Sequence, residues 1–169
     1  MVISELRFLR RLSLACVLAL LAACSTPPAA LRADTLAYLQ KMSSWAPDEA
    51  ETARTLERIL ATEFVDQAEV LRQISDNTPR VQSHLAEAEQ YQPRTAEVRQ
   101  IHAVYVASWR TLLDAYGSIT AGFASGDQNK LAQGRDGMAR WRDAIMQVAR
   151  ELHDLRDRMG VDPSDVTPS

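Results

Sequence analysis

Cysteine is scarce in this chain, and so are glycine, proline and lysine. Two cysteines, Cys16 and Cys24, in 169 residues exclude a disulfide scaffold and a cysteine-rich zinc site. Six glycines and seven prolines exclude a collagen-like or low-complexity chain. Of 19 basic residues 17 are arginine, yet the net charge is −3. That balance leaves no electrostatic footprint for nucleic acid or an anionic membrane surface. Catalytic and ligand motifs are missing as well. None of His84, His102 and His153 has a carboxylate three residues before it, so the Glu-x-x-His di-iron signature is absent. There is no His-Glu-x-x-His for zinc, no Cys-x-x-Cys-His for c-type haem, no phosphate loop and no Gly-x-Ser-x-Gly. Asp127-Gln128-Asn129 opens like a calcium loop. But Leu131 falls where the fifth-position oxygen ligand belongs, Ala132 where the glycine belongs and Met138 where the bidentate glutamate belongs. No metal and no cofactor is expected. What is present is 46% hydrophobic and 24% charged, the composition of one globular domain.

The N-terminus reads as an address. Met1–Arg11 carries Arg7, Arg10 and Arg11 against Glu5, and Leu12–Leu21 follows as an uncharged apolar run. That run has the length of a secretory apolar region and is about half of what spans a bilayer as a helix. Leu21-Ala22-Ala23-Cys24 comes next, and these four residues resemble the lipobox of bacterial lipoproteins. The resemblance implies that residues 1–23 are a signal peptide cut after Ala23. It also implies that Cys24 becomes the first residue and carries a diacylglyceryl thioether and an acylated amino group. A thiolate suits that alkylation because it is the strongest nucleophile among ordinary side chains. One acyl chain anchors only marginally, at ~0.8 kcal/mol per buried CH₂, whereas two or three hold stably. The alternative is a plain secretory signal with Cys24 a free thiol, which Leu21 fits poorly, since that position prefers a small residue. Loss of three arginines and one glutamate with the signal would take the net charge from −3 to −5. Ser25 in the second mature position resembles the outer-membrane default of Gram-negative lipoproteins. Residues 24–30, with Pro27-Pro28, read as a tether in extended polyproline geometry.

Beyond the tether, apolar residues recur at three and four, the helical period, and no window alternates like a strand. The expected fold is all-α, an antiparallel up-down bundle of about four helices over residues 31–160, ending in a long helical hairpin, with 161–169 a flexible tail. The spacing predicts a helix over 31–45, a break at Ala46-Pro47, and a second helix over 48–75. A turn at Asp76-Asn77-Thr78-Pro79 and a short helix over 80–91 follow. Two long helices, near 93–124 and 127–159, flank Ser125-Gly126-Asp127. There Gly126 suits a left-handed helix end and Asp127 the next N-cap.

The hairpin has a predicted register, because level positions in an antiparallel pair have a constant sum. One stripe is Val98, Ile101, Tyr105, Trp109, Leu112, Tyr116, Ile119 and Phe123. The other is Leu131, Gly134, Met138, Trp141, Ile145, Val148, Leu152, Leu155 and Met159. Paired outward from the turn, they stay in step for about seven turns, a coiled-coil-like seam. Gly134 and Gly137 inside the last helix cost about 1 kcal/mol each. They mark either a close approach beside Ile119 or a partner-docking spot. The segment 48–75 is acidic (Asp48, Glu49, Glu51, Glu57, Glu63, Asp66, Glu69), and the last helix carries Lys130, Arg135, Arg140, Arg142, Arg150, Arg156 and Arg158. The two are therefore expected to be neighbours. His153 is expected to pair with Asp157 on a solvated face, and Tyr105, Trp109, Tyr116 and Trp141 to be core.

The functional expectation is a non-enzymatic lipoprotein at the periplasmic face of the outer membrane. It would be held in the lipid bilayer through Cys24 and serve as a helical interaction or accessory module for an envelope protein. The acidic face of 48–75 is the first docking candidate. A small-ligand or metal carrier binding within the bundle is the alternative. Pro93, Ile101-His102-Ala103-Val104-Tyr105 and Gly126-Asp127 also resemble, generically, helical-bundle lipoproteins that carry no activity to transfer.

Overall fold

The computed structural model describes residues 28–62 and 64–166. The expected signal peptide, with its cleavage site at Ala23, and Cys24 lie outside the described residues. Four long helices account for nearly all of the rest: α1 (Pro28–Ala61), α2 (Gln67–Gln90), α3 (Ala96–Ser125) and α4 (Gln128–Met159). Each packs against the next, and α1 closes the square against α4, leaving α1 and α3 across the diagonal. The all-α up-down bundle follows from that arrangement.

The C-terminal hairpin forms as the spacing predicts. Gly126 ends α3 with φ of 68°, a conformation that costs glycine little, and Asp127 caps α4 by accepting from the Asn129 and Lys130 amides. Every residue of the predicted α3 stripe except the half-buried Phe123 is buried. In the α4 stripe only Ile145 and Met159 are half-buried, and the others are buried. Register is visible where side chains are smallest. A Cβ added to Gly134 would overlap the Ile119 side chain and lie 2.9 Å from the Ala115 carbonyl. One added to Gly137 would lie 2.7 Å from the Ala115 Cβ. Both glycines thus mark close helix approach. Trp141 meets Trp109 edge to face at 5.4 Å, one turn beyond its level partner Leu112.

The first half of the bundle departs from the sequence reading at three boundaries. α1 runs through Pro47 and α2 through Pro79, without the breaks expected at either proline. Both prolines are exposed. The carbonyls that lose their helical bonds, on Ser43 and Ser75, are therefore not sealed in the core. On both sides of each proline the buried stripe continues, Tyr38 and Trp45 to Leu56 and Ile59 in α1, Val70 and Ile74 to Val81 and Leu85 in α2. Burial of two stripes outweighs a penalty of about 3 kcal/mol per proline.

The true break falls at 62–66, inside the expected second helix. Val65 N–H closes a turn on the Thr62 carbonyl, and Phe64 takes a left-handed φ of 63°. Its ring is buried near Phe123 (6.1 Å) and under the Arg135 guanidinium (4.2 Å). Those contacts hold a conformation that costs a non-glycine residue about 1–2 kcal/mol. Asp66 then caps α2 through the Glu69 amide. As a result the acids split between helices. Those of 48–61 belong to α1, which does adjoin α4, and those after Asp66 belong to α2, which packs on α1 and α3.

The ends are also tighter than expected. α1 begins at Pro28, a residue whose missing N–H is harmless in a first turn, so the tether expected to reach residue 30 gives way to helix three residues early. The tail is tied down as far as Val166. Val161 is buried, Pro163–Asp165 forms a 3₁₀ turn, and Gln40 donates to the Asp165 carbonyl at 3.2 Å.

Candidate functional site

Polar side chains gather in the interior where α1, α2 and α3 meet. The α1 stripe places Tyr38, Trp45 and Glu49 on one face, four residues or seven apart. His84 comes from α2, and His102, Tyr105 and Trp109 from α3. Trp45 is the hub. It stacks on Tyr105 at 5.4 Å and 6° and lies edge-on to His84 at 5.5 Å and to Tyr91 at 6.0 Å. His84 in turn lies 4.0 Å from Trp109.

Two hydrogen-bond chains run through these rings. In the first, the Ala88 carbonyl can only accept, so His102 donates from Nε2 at 3.0 Å; Nδ1 then accepts from the Tyr38 hydroxyl at 3.1 Å. In the second, Tyr105 donates its one proton to Glu49 Oε1 at 2.6 Å, so its oxygen accepts from His84 Nε2 at 2.6 Å. His84 Nδ1 is then a bare lone pair without a hydrogen bond, 3.9 Å from Asp48 Oδ2. The chain Glu49–Tyr105–His84 thus ends beside the half-exposed Asp48 carboxylate. Burial pushes the Glu49 carboxyl up from the carboxylate range, against the lowering effect of the Tyr105 bond. Burial also pushes the Tyr38 and Tyr105 hydroxyls up, so both stay protonated, and it pushes both histidines down.

The histidine shifts make stability depend on pH. An unfolded histidine binds its proton near 6.5, whereas the folded state resists it, so the unfolded chain takes up more protons as pH falls. Stability is therefore lost as pH drops below about 6.5, by at most ~1.4 kcal/mol per unit for each histidine until its folded pKa is passed. Glu49 works the opposite way, its raised pKa favouring the fold more on the acid side, but two histidines oppose one carboxyl. The urea midpoint should fall between pH 7.5 and 5.5, and His102→Gln should flatten that slope. A midpoint that rises on acidification would contradict this account.

Asp34 is a fully buried acid, also on the α1 stripe. Its Oδ2 accepts from the Arg94 amide (3.0 Å), the Thr95 amide (2.7 Å) and the Thr95 hydroxyl (2.7 Å). A side chain of α1 therefore caps the start of α3, where Thr95 makes no side-chain cap of its own. Asn77 similarly donates to the Tyr116 hydroxyl at 2.8 Å, and burial holds that phenol up near 12.

Two of the surface concavities among the described residues are mainly apolar. The larger, about 890 Å³, is a groove between the start of α3 and the end of α4. Ile101, Val104 and Leu155 form its floor, and Glu97, Glu151, Asp154 and Asp157 its rim, with Arg158 the one cation. The smaller, about 330 Å³, lies between α1 and α4 and is nearly all apolar except for Glu49 and Arg142.

The sequence-predicted positions distribute plainly. Tyr105, Trp109, Tyr116 and Trp141 are core. His153 sits 3.5 Å from Asp157 on a solvated face, as expected, and His102 is buried. Gly134 and Gly137 belong to packing. The acidic face of 48–75 is largely engaged by arginines: Glu51 with Arg54 and Arg58, and Glu69 and Asp76 with Arg72. Sequence reasoning passed over Asp34 and took Glu49 only as one acid of the 48–75 face. Each interrupts an apolar stripe at helical spacing, and that interruption is the signal that could have found them.

Among the described residues no group of three or more His, Cys, Asp or Glu side chains is placed to hold a metal ion. Nor is any described helix long and apolar enough to cross a membrane. No family model, curated protein or solved structure matches the chain.

Proposed function

We propose that this protein is a lipoprotein of the bacterial envelope, anchored through Cys24 at the periplasmic face of the outer membrane. In this reading its bundle is a non-enzymatic docking module for a basic, amphipathic helical segment of an envelope protein. The observation that carries the anchor is the box Leu21-Ala22-Ala23-Cys24 behind a basic start and a short apolar run. The fold adds a geometric consequence. Only residues 25–27 separate Cys24 from α1, so Cys24 lies at most about 14 Å from its first residue. Anchoring would therefore hold one end of the bundle close to the lipid: the start of α1, the connector at 91–95 and the turn at 160–166. The 34 residues of α1 would carry the other end about 50 Å away.

The α3/α4 groove lies at that lipid-near end. Its apolar floor and the Glu151 and Asp154 carboxylates beside it are complementary to the apolar and basic faces of an amphipathic helix. It is preferred to the 48–75 face as the docking candidate because its carboxylates border an apolar floor of Ile101, Val104 and Leu155. Anchoring raises the effective concentration of a partner held at the same membrane, so a weak contact suffices.

Cells carrying a photo-crosslinking residue at position 104 test both halves. Cys24→Ala should move the protein out of the membrane fraction, and it should lose fatty-acid label and crosslink together. Glu151→Arg with Asp154→Arg should keep the anchor and lose the crosslink to one defined band. Label retained by Cys24→Ala overturns the anchor. A crosslink indifferent to the charge reversal overturns the groove.

A further inference from the structure

Where α1 meets α4, three small residues, Ala46, Ala50 and Ala53, leave a trough facing Trp141, Ile145 and Met146. Met146 is 54% exposed there, a large apolar side chain left at the surface. One half-buried acid opens into this trough, Glu49. Tyr105 is its hydrogen-bond partner, and among the described residues no lysine or arginine forms an ion pair with it. Arg142 lines the rim, but its guanidinium is turned to Asp143 at 3.4 Å.

An ionised carboxylate has about four acceptor sites. Partly withdrawn from water, with one of them filled and no counter-charge, it is costly to hold. The apolar wall beside it excludes water without supplying a donor. A cation with an apolar body would complete both halves of the site, the head on Glu49 and the body along Trp141 and Met146. A neutral apolar ligand would leave the carboxylate unmatched, and an anionic one would be repelled by it.

We propose that the trough between α1 and α4 is a binding site for a small primary alkylammonium ion, held by Glu49 and by the apolar wall of Trp141, Ile145 and Met146. The hydrogen-bonded chain behind Glu49 makes the site proton-sensitive. The groups that face it are Asp48 and Tyr38 on α1, His84 on α2 through Tyr105, Tyr105 itself on α3 and Arg142 on α4. Cation binding needs Glu49 ionised, so affinity should rise with pH until Glu49 has lost its proton. The site stands apart from the α3/α4 groove and does not depend on the anchor.

The probe is hexylammonium chloride, with hexanol and hexanoate as its neutral and anionic counterparts, titrated into the purified full chain. Indole and methyl resonances of Trp141, Ile145 and Met146 report binding. Hexylammonium should saturate and bind at least about tenfold more tightly than hexanol. Glu49→Gln, which can still accept from Tyr105, should erase that preference while leaving the helical circular dichroism spectrum unchanged. Tyr105→Phe should keep the preference but shift its pH profile. Equal binding of hexylammonium and hexanol, no saturation in the millimolar range, or a preference that survives Glu49→Gln overturns the proposal.

Discussion

Trp45→Ala is expected to remove about 3–5 kcal/mol from the folding free energy, a large part of what holds a domain of this size together. The side chain is 2% exposed and stands where rings from three helices meet. Truncation deletes the stacked contact with Tyr105 and the edge contacts with His84, Tyr91 and His102. It also removes the ring beneath the Lys41 ammonium, 5.0 Å away. The cavity left would be lined by aromatic side chains whose polar atoms are tied into the Tyr38–His102 and Tyr105–His84 chains, so the walls cannot collapse inward without breaking those bonds. Urea unfolding followed by circular dichroism would read the loss as a lower midpoint at unchanged slope. A loss below about 1 kcal/mol would mean that the rings repack and that Trp45 is not the hub. Trp45→Phe, which keeps a ring but loses volume, should fall between the two.

Gly134→Leu should cost about 3 kcal/mol, at the upper end of overpacking penalties. Even a single Cβ at this position meets Ile119 and the Ala115 carbonyl, which is backbone and cannot rotate away. The two longest-packed helices would have to separate along their seam. Gly117 supplies the contrast, because it lies in the same hairpin with nothing within 4 Å of an added Cβ. Gly117→Ala should therefore stabilise by up to about 1 kcal/mol through helix propensity alone. Opposite signs at these two glycines would locate the close approach. A neutral Gly134→Leu would show that α3 and α4 do not meet at this level.

Both positions bear on how the chain encodes its fold. Gly134 was legible because its meaning is a matter of counting, the two hairpin stripes remaining in step from a turn that Gly126-Asp127 announces. Trp45 was legible as an apolar residue but not as a hub, because nothing local shows that His84 and Tyr105 will arrive from two other helices. The same limit hid Glu49 and Asp34. On a helical wheel each is a polar residue interrupting an apolar face, and its partners, Tyr105 for one and the amides at 94 and 95 for the other, are 56 to 61 positions away.

By itself the sequence determined the helical class, the C-terminal hairpin with its register, and the buried stripes of α3 and α4. Each of these follows from a 3.6-residue period and from caps that act within a few residues. Only the tertiary structure decided where the first two helices end. Local rules assign breaks to Pro47 and Pro79, but each proline faces outward, and the apolar stripes on both sides of it bury against the same neighbours. Asp66-Gln67-Ala68-Glu69 carries a local capping signal for the start of α2, but the break before it also needs a left-handed Phe64. That conformation is unfavourable in isolation. It holds because Phe123 and Arg135, more than 50 residues further along, receive the ring, and a period or a propensity read along the chain contains no information about them.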